Sequence, residues 1–415
     1  MRRYTAEGGP EVEARIQAIL DEAVAEVRRI VPGPSLRAFV LLGGYGRAEG
    51  GVEVRGTQEL PHNNLDLLLI ARGRGDPAAL KARLDEALAP IGARHQIGLD
   101  LGVISEKTLA RARVRVMWYD LRFGHRTLLG DAEFVKSLTR FRVDRILPED
   151  MRDLLVNRGT LLVINRALMD LAHREPDTRR TLIRHAMKAI IGYGDAWLFF
   201  HRDYHWSYRE RRERMRARRD APERLRALYD EAMGFRFRAD YAAWSARDLD
   251  GWLDEVVADL APVHLEVESL RLARPGLTWD EHPRASLFAA LRSFPLEPWA
   301  WLQKARSAVR ALSDWAFVVS PPGPGRSRLD VGVRAAWAFA PARERLAVLF
   351  PLVAYRVRAP VAAALARTAL RVDPDDPREL GRAFLAYWGR FGDPNFFAAA
   401  RRMGLDIAEP PRRSG

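Results

Sequence analysis

Three short stretches of the sequence hold the side chains best suited to chemistry. Gly43-Gly44 follows the apolar run RAFVLL, Asn64-Leu65-Asp66 opens a second apolar run, and Asp100 stands between Leu99 and Leu101 in a third. Transfer of a nucleoside monophosphate with metal assistance needs such parts. A tight turn must let phosphates approach main-chain N–H groups, carboxylates must hold one or two magnesium ions, and an attacking hydroxyl must lie in line with the leaving pyrophosphate. Gly-Gly permits the close approach. Side chains at i and i+2 on a strand share a face, so positions 64 and 66 look into a site while Leu65 turns to the core. Asp100, a carboxylate in mid-strand, needs a partner or a solvent-facing cleft.

The elements that would position these residues follow from hydrophobic spacing. Residues 10–31 place Ile16, Ile19, Leu20, Ala23 and Val27 at helical intervals, and Pro32-Gly33-Pro34 ends that helix. RAFVLL (37–42) reads as a short buried strand, and LDLLLIAR (65–72) as a second. Asp76 caps a helix with Leu80, Leu84 and Leu88 on one face, and IGLDLGVIS (97–105) is a third strand. Strand, glycine turn, strand, helix and strand make an α/β domain of roughly 140 residues. After about Asp150 long segments with helical spacing dominate.

LLGGYGRAEGG, then NNLDLLLI, then GLDLG, resembles the DNA polymerase β-like nucleotidyltransferase superfamily, in which antibiotic (kanamycin) nucleotidyltransferases also sit. The resemblance covers residues 35–135, and YDLRFGHRTLLGD (119–131) looks like the strand-turn-strand that often closes such domains. It implies an α+β protein, with a small mixed-sheet nucleotidyltransferase domain followed by a mostly helical C-terminal region. The expected boundaries are 1–145, 146–319 and 329–415, the last two being separate or continuous, with SPPGPGRSR (320–328) as linker or long loop. By the same resemblance Asp66 would be a metal ligand, and Asp100 the third carboxylate, a second ligand that helps activate the acceptor hydroxyl. Gly43 and Gly44 would line the triphosphate site, Arg47 would reach phosphate, and Asn64 and Lys188 would also meet the nucleotide. The implied cofactor is Mg2+ or Mn2+, and the implied partners are a nucleoside triphosphate and a hydroxyl acceptor, with RNA among the candidates.

The family's first carboxylate falls on Asn64, whose amide oxygen can meet magnesium but carries no charge. The interval from Gly-Gly to Asp66 is also long, leaving a loop from Gly50 to Pro61, and Glu49, Glu53 or Glu59 could replace the missing acid. Two readings therefore stand: a magnesium-dependent nucleotidyltransferase, or a catalytically degenerate nucleotide- or RNA-binding pseudoenzyme.

Other chemistries find less support. No G-x-x-x-x-G-K-[ST], HEXXH or G-x-S-x-G stretch occurs, and Gly44-x-Gly46-x-x-Glu49 lacks the third glycine of a dinucleotide fingerprint. The absence of cysteine excludes disulfides, thiolate zinc sites and thiol catalysis. Arg180 and His185 match an R-x4-H pattern of a helical ribonuclease class. In HRDYHWSYRERRERMRARR, Tyr204, His205, Trp206 and Tyr208 could stack a base while Arg209, Arg211 and Arg212 meet phosphates. The formal charge of +13 fits an anionic partner or an arginine-coated surface. The start has no apolar h-region, and LAVLFPLVAY (346–355) is too short to span a bilayer, so a soluble cytoplasmic protein with no membrane partner is expected.

Overall fold

The computed structural model describes residues 3–73, 75–171, 176–292, 329–393 and 395–409. SPPGPGRSR lies outside the described residues. The chain is of α+β class and divides into two compact units, neither continuous in sequence: Met1–Met151 with His201–Arg247, and Arg152–Phe200 with Asp248–Gly415.

In the first unit, α1 (Pro10–Ile30) starts on Pro10, which needs no N–H partner there, and buries Val12, Ile16, Ile19, Leu20, Ala23 and Val27 along one stripe. β1 (Leu36–Leu41) runs into α2 (Gly43–Gly46), a single helical turn. A hairpin of β2 (Val52–Arg55) and β3 (Gln58–Pro61) follows, then β4 (Leu65–Ala71). The Asp76 side chain accepts from Ala78 N–H to cap α3 (Pro77–His95), which leads to β5 (Leu99–Ser105). Beyond lie α4 (Glu106–Arg111), α5 (Val116–Phe123), β6 (Arg126–Gly130) and α6 (Phe134–Ser137).

One mixed sheet has the order β5-β4-β1-β6, with β1 antiparallel to β4 and β6, and β4 parallel to β5. Leu65, Leu67 and Leu69 of β4 and Leu99, Leu101 and Val103 of β5 pack into one cluster with the buried stripes of α1 and α3. Alternation along the strands then directs Asp66 and Asp100 to the opposite face.

The stretch 50–61 is a hairpin rather than a loop. VEVR and QELP pair from Val52↔Pro61 to Arg55↔Gln58 around a two-residue turn, with Gly56 at φ +60°. The segment 119–131 is helix then strand rather than two strands. Tyr119 N–H bonds to Arg115 C=O, Gly124 ends the turn, and β6 begins at Arg126.

The boundaries depart most from expectation after α7 (Pro148–Met169) and α8 (Pro176–Phe200). Residues 201–247 belong with the sheet-bearing unit, and they form α9 (Tyr208–Ala217), α10 (Glu223–Phe237), β7 (Arg238–Ala239) and α11 (Tyr241–Ser245). β7 completes a second sheet, β3-β2-β7, by pairing Arg238 with Val52 and Ala239 with Glu53 in parallel. An edge strand gains the backbone partners it would otherwise lack.

The second unit is helical as far as it is described. It comprises most of α7, α8, α12 (Leu249–Arg271), α13 (His282–Arg292), α14 (Val331–Phe339), α15 (Ala342–Tyr355), α16 (Pro360–Ala369), α17 (Pro377–Phe391) and α18 (Phe396–Arg402). Phe384, Leu385, Trp388, Phe396 and Phe397 are buried in the core, whereas Phe391 of the same stretch is exposed. A buried polar chain crosses its interior. Arg152 pairs with Glu344 at 2.9 Å, the Ser286 hydroxyl donates to Glu344 at 2.6 Å, Arg271 donates to Ser286 and Glu268, and His282 meets Glu268 at 2.9 Å. Among the described residues no single helix is long and apolar enough to cross a membrane.

Candidate functional site

The glycine turn and the two aspartates come together. Leu42 N–H bonds to Asp66 C=O at 2.8 Å, which ties the end of β1 to β4 at the turn. Gly43 has φ +61°, and a β-carbon there would collide with Asp66 Oδ2. Asp66 therefore lies directly against the Gly43 backbone. Tyr45 is buried beneath the turn; its hydroxyl donates to Gly51 C=O at 2.8 Å and accepts from Asn63 N–H at 3.3 Å. Burial pushes that hydroxyl up to about 12, so it stays a neutral strut.

Asp66 and Asp100 are register partners on parallel neighbours β4 and β5. Their Cα atoms are therefore separated by about 4.8 Å, the spacing of adjacent strands, with both side chains on one face. Both are exposed, as is Asn64. Asn64 Nδ2 donates to Asp100 Oδ2 at 2.9 Å. Position 64 thus supplies a neutral donor that holds Asp100 without adding a third negative charge.

None of the acids between the turn and Asp66 joins this pair. Glu49 is buried and accepts from the Ser207 hydroxyl and, at 2.7 Å, from Tyr208 N–H. Glu53 pairs with Arg55, and Glu59 accepts from Gly9 N–H at 2.7 Å and from Arg238. Among the described residues no group of three or more His, Asp or Glu side chains could hold a metal ion. Two adjacent carboxylates still suit one Mg2+ or Mn2+, a hard cation that commonly takes one or two carboxylates and completes its shell with substrate phosphates and water.

Arg47 is placed otherwise than a phosphate ligand would be. It is buried, pairs with Asp120 at 2.9 Å, donates to Trp206 C=O, and lies 4.7 Å from the Tyr208 ring centroid. The fold takes up both Nη groups of this guanidinium, whereas its Nε is buried with no hydrogen-bond partner. Lys188 lies on α8 in the second unit and is half-buried.

The aromatic and basic stretch 204–218 is also largely committed within its unit. Tyr204 is buried with its hydroxyl on Asp120, and Arg211 is 1% exposed between the Tyr204 and Tyr208 rings. Arg209 donates to Ala6 C=O, Arg212 pairs with Asp230 at 2.8 Å, Arg214 with Glu210 at 2.9 Å, and Arg218 with Asp220 at 2.6 Å. The helix face reads as basic in sequence, yet acids at each turn offset it. His185 is buried, its Nδ1 meets Asn165 Oδ1 at 2.9 Å, and burial drives it down to about 3. A neutral interior imidazole is not poised for the proton transfers of a ribonuclease.

One cation at the turn carries no sequence signal. Arg236, from α10, brings Nη2 to 3.2 Å from the place a β-carbon would take on Gly44. Some 190 residues separate it from the turn, and no spacing rule connects them. No protein-family model, no curated protein and no solved structure matches this chain.

Proposed function

We propose that the sheet-bearing unit is a divalent-cation-dependent nucleotidyltransferase that moves a nucleoside monophosphate from a triphosphate to a hydroxyl acceptor. The observation that carries this reading is the in-register pair Asp66↔Asp100, placed on the face of the sheet where Asp66 lies against Gly43. Asp66 and Asp100 would hold Mg2+ or Mn2+, which supplies positive charge to the phosphate oxygens as pyrophosphate departs. The Gly43-Gly44 backbone leaves room for phosphates because no side chain intrudes. Asp100 would accept the proton of the attacking hydroxyl. The new O–P bond forms at the α-phosphorus as the bond to pyrophosphate breaks, and pyrophosphate carries away the electron pair.

A second reading rests on the Asn64 to Asp100 hydrogen bond. An amide that satisfies Asp100 without metal suits a degenerate nucleotide- or RNA-binding protein whose acids are stable unoccupied. Manganese titration followed by electron paramagnetic resonance, with and without ATP, tests the first reading. Wild type should bind Mn2+ more tightly when ATP is present, and Asp66→Asn and Asp100→Asn should each abolish that gain. A gain that survives both substitutions would place the metal elsewhere.

A further inference from the structure

The segment from Lys107 to Tyr119 carries four cations and no acid. It leaves the sheet at Ser105, the end of β5 away from Asp100 and about 17 Å further along the strand. Within it exposure alternates residue by residue. Arg111, Arg113, Arg115 and Met117 are exposed, whereas Val114 and Val116 are buried. The chain between α4 and α5 is extended, with ψ 140° at Ala112 and 160° at Arg115, so the valines pin it to the unit while the arginines face solvent. Asp150 accepts from Val116 N–H at 2.9 Å and fastens one end of this strap. A fourth guanidinium joins the row, because Arg140 donates to Ala110 C=O at 2.6 Å.

These arginines differ from Arg214, Arg216 and Arg218, which pair with Glu210, Glu213 and Asp220. Among the described residues Arg111 and Arg113 meet no carboxylate, and Arg115 comes only to 3.8 Å from Asp150. Alternate residues of an extended chain lie about 6.6 Å apart. Three like charges therefore repel along one line, and a linear polyanion relieves them. We infer that residues 111–117 form a docking edge for the phosphate backbone of a single-stranded nucleic acid, read without regard to its sugar. Its successive phosphates meet Arg111, Arg113 and Arg115, each of which can bond two phosphate oxygens. Met117, 54% exposed, prolongs the row and gives an unstacked base an apolar surface. An anionic bilayer or a folded acidic protein spreads its charge over an area, whereas the strap offers a single file. Binding here requires neither metal nor triphosphate, so it does not rest on the proposed function.

The test is fluorescence anisotropy of the protein with labelled oligouridylate and oligodeoxythymidylate, in chelator, over a range of salt concentrations. Both strands should bind with similar affinity, because phosphate contacts carry no base or sugar information. The triple change Arg111→Gln, Arg113→Gln, Arg115→Gln should weaken both roughly tenfold or more. It should also flatten the slope of log affinity against log salt by about 2, at about 0.7 for each phosphate released. The matching lysine changes keep the charge and should keep the slope. Arg214→Gln, Arg216→Gln, Arg218→Gln removes as much charge from paired sites and should bind like wild type, with thermal melts confirming that every variant is folded. The inference is overturned if wild type binds neither strand, if the first triple variant binds as tightly, or if the paired-site variant loses as much. A preference of more than about tenfold for RNA or DNA would overturn the phosphate-only reading. Tighter binding of polyglutamate would point to an acidic protein, and tighter binding of phosphatidylserine vesicles to a membrane; either result also overturns it.

Discussion

Replacing Asn64 by aspartate should destabilise the metal-free protein by about 2 kcal/mol and make it far more responsive to metal. Asn64 Nδ2 donates to Asp100 Oδ2 at 2.9 Å, so Asn64→Asp turns a hydrogen bond into a contact between carboxylates. The lost bond contributes about 1 kcal/mol. Two unit charges about 4 Å apart repel by about 1 kcal/mol in water, the appropriate screening for exposed side chains. Asp66, the register partner of Asp100, adds to the repulsion. A divalent cation reverses the sign, because three carboxylates bind it more tightly than two. At a hundredfold excess over its dissociation constant a ligand stabilises the folded state by about 2.7 kcal/mol, enough to offset the loss. Urea unfolding followed by tryptophan fluorescence, in chelator and in excess Mn2+, reads both effects. A variant as stable as wild type in chelator would refute the Asn64–Asp100 contact. Equal metal stabilisation of the two proteins would show that position 64 does not face the cation.

Gly43→Ala should cost about 1–2 kcal/mol for its positive φ and weaken Mn2+ binding by displacing Asp66. Gly56→Ala has the same strain at φ +60° with nothing within 4 Å, so it should lose comparable stability and no metal affinity; equal metal binding by both variants would contradict the placement of Asp66. His185 and His264 are held down to about 3 by burial, against about 6.5 in the unfolded chain. Their contribution to stability is complete above pH 6.5 and is lost as the pH falls towards 3, because only the unfolded state takes up protons in that window. Each should remove about 1.4 kcal/mol between pH 7.5 and 5.5, and His185→Gln should erase its share of the slope in urea titrations. Glu344→Ala leaves the buried Arg152 guanidinium with Asp153, 3.0 Å from Nε, as its remaining ion-pair partner and should destabilise the helical unit by about 3 kcal/mol, whereas the double change Arg152→Met, Glu344→Leu should cost much less. Denaturant midpoints decide between these outcomes.

What the sequence revealed is what neighbouring residues determine. The stripe Ile16, Ile19, Leu20, Ala23 and Val27, the Asp76 cap, and the apolar runs of β1, β4 and β5 each carry their own period, and all form as expected. Asp66 and Asp100 could be placed on one face because strand alternation is local. The hairpin at 52–61 was hidden by its polar, short strands, and α5 by apolar residues that suit either helix or strand. The division into units depends on β7 meeting β2 across 186 residues, which no local pattern encodes. Arg47 looked available because it follows a glycine turn. Its partner Asp120 is fixed only by the folded chain, as is the approach of Arg236 to Gly44.

The most direct measurement incubates the protein with each nucleoside triphosphate in turn, with Mg2+ or Mn2+ and a panel of hydroxyl acceptors, and follows pyrophosphate release. The proposed function predicts metal-dependent release by wild type, and its loss in Asp66→Asn and Asp100→Asn. Silence from wild type with release by Asn64→Asp would contradict it and identify a degenerate site. Release that is unchanged in Asp66→Asn would place the chemistry elsewhere in the chain.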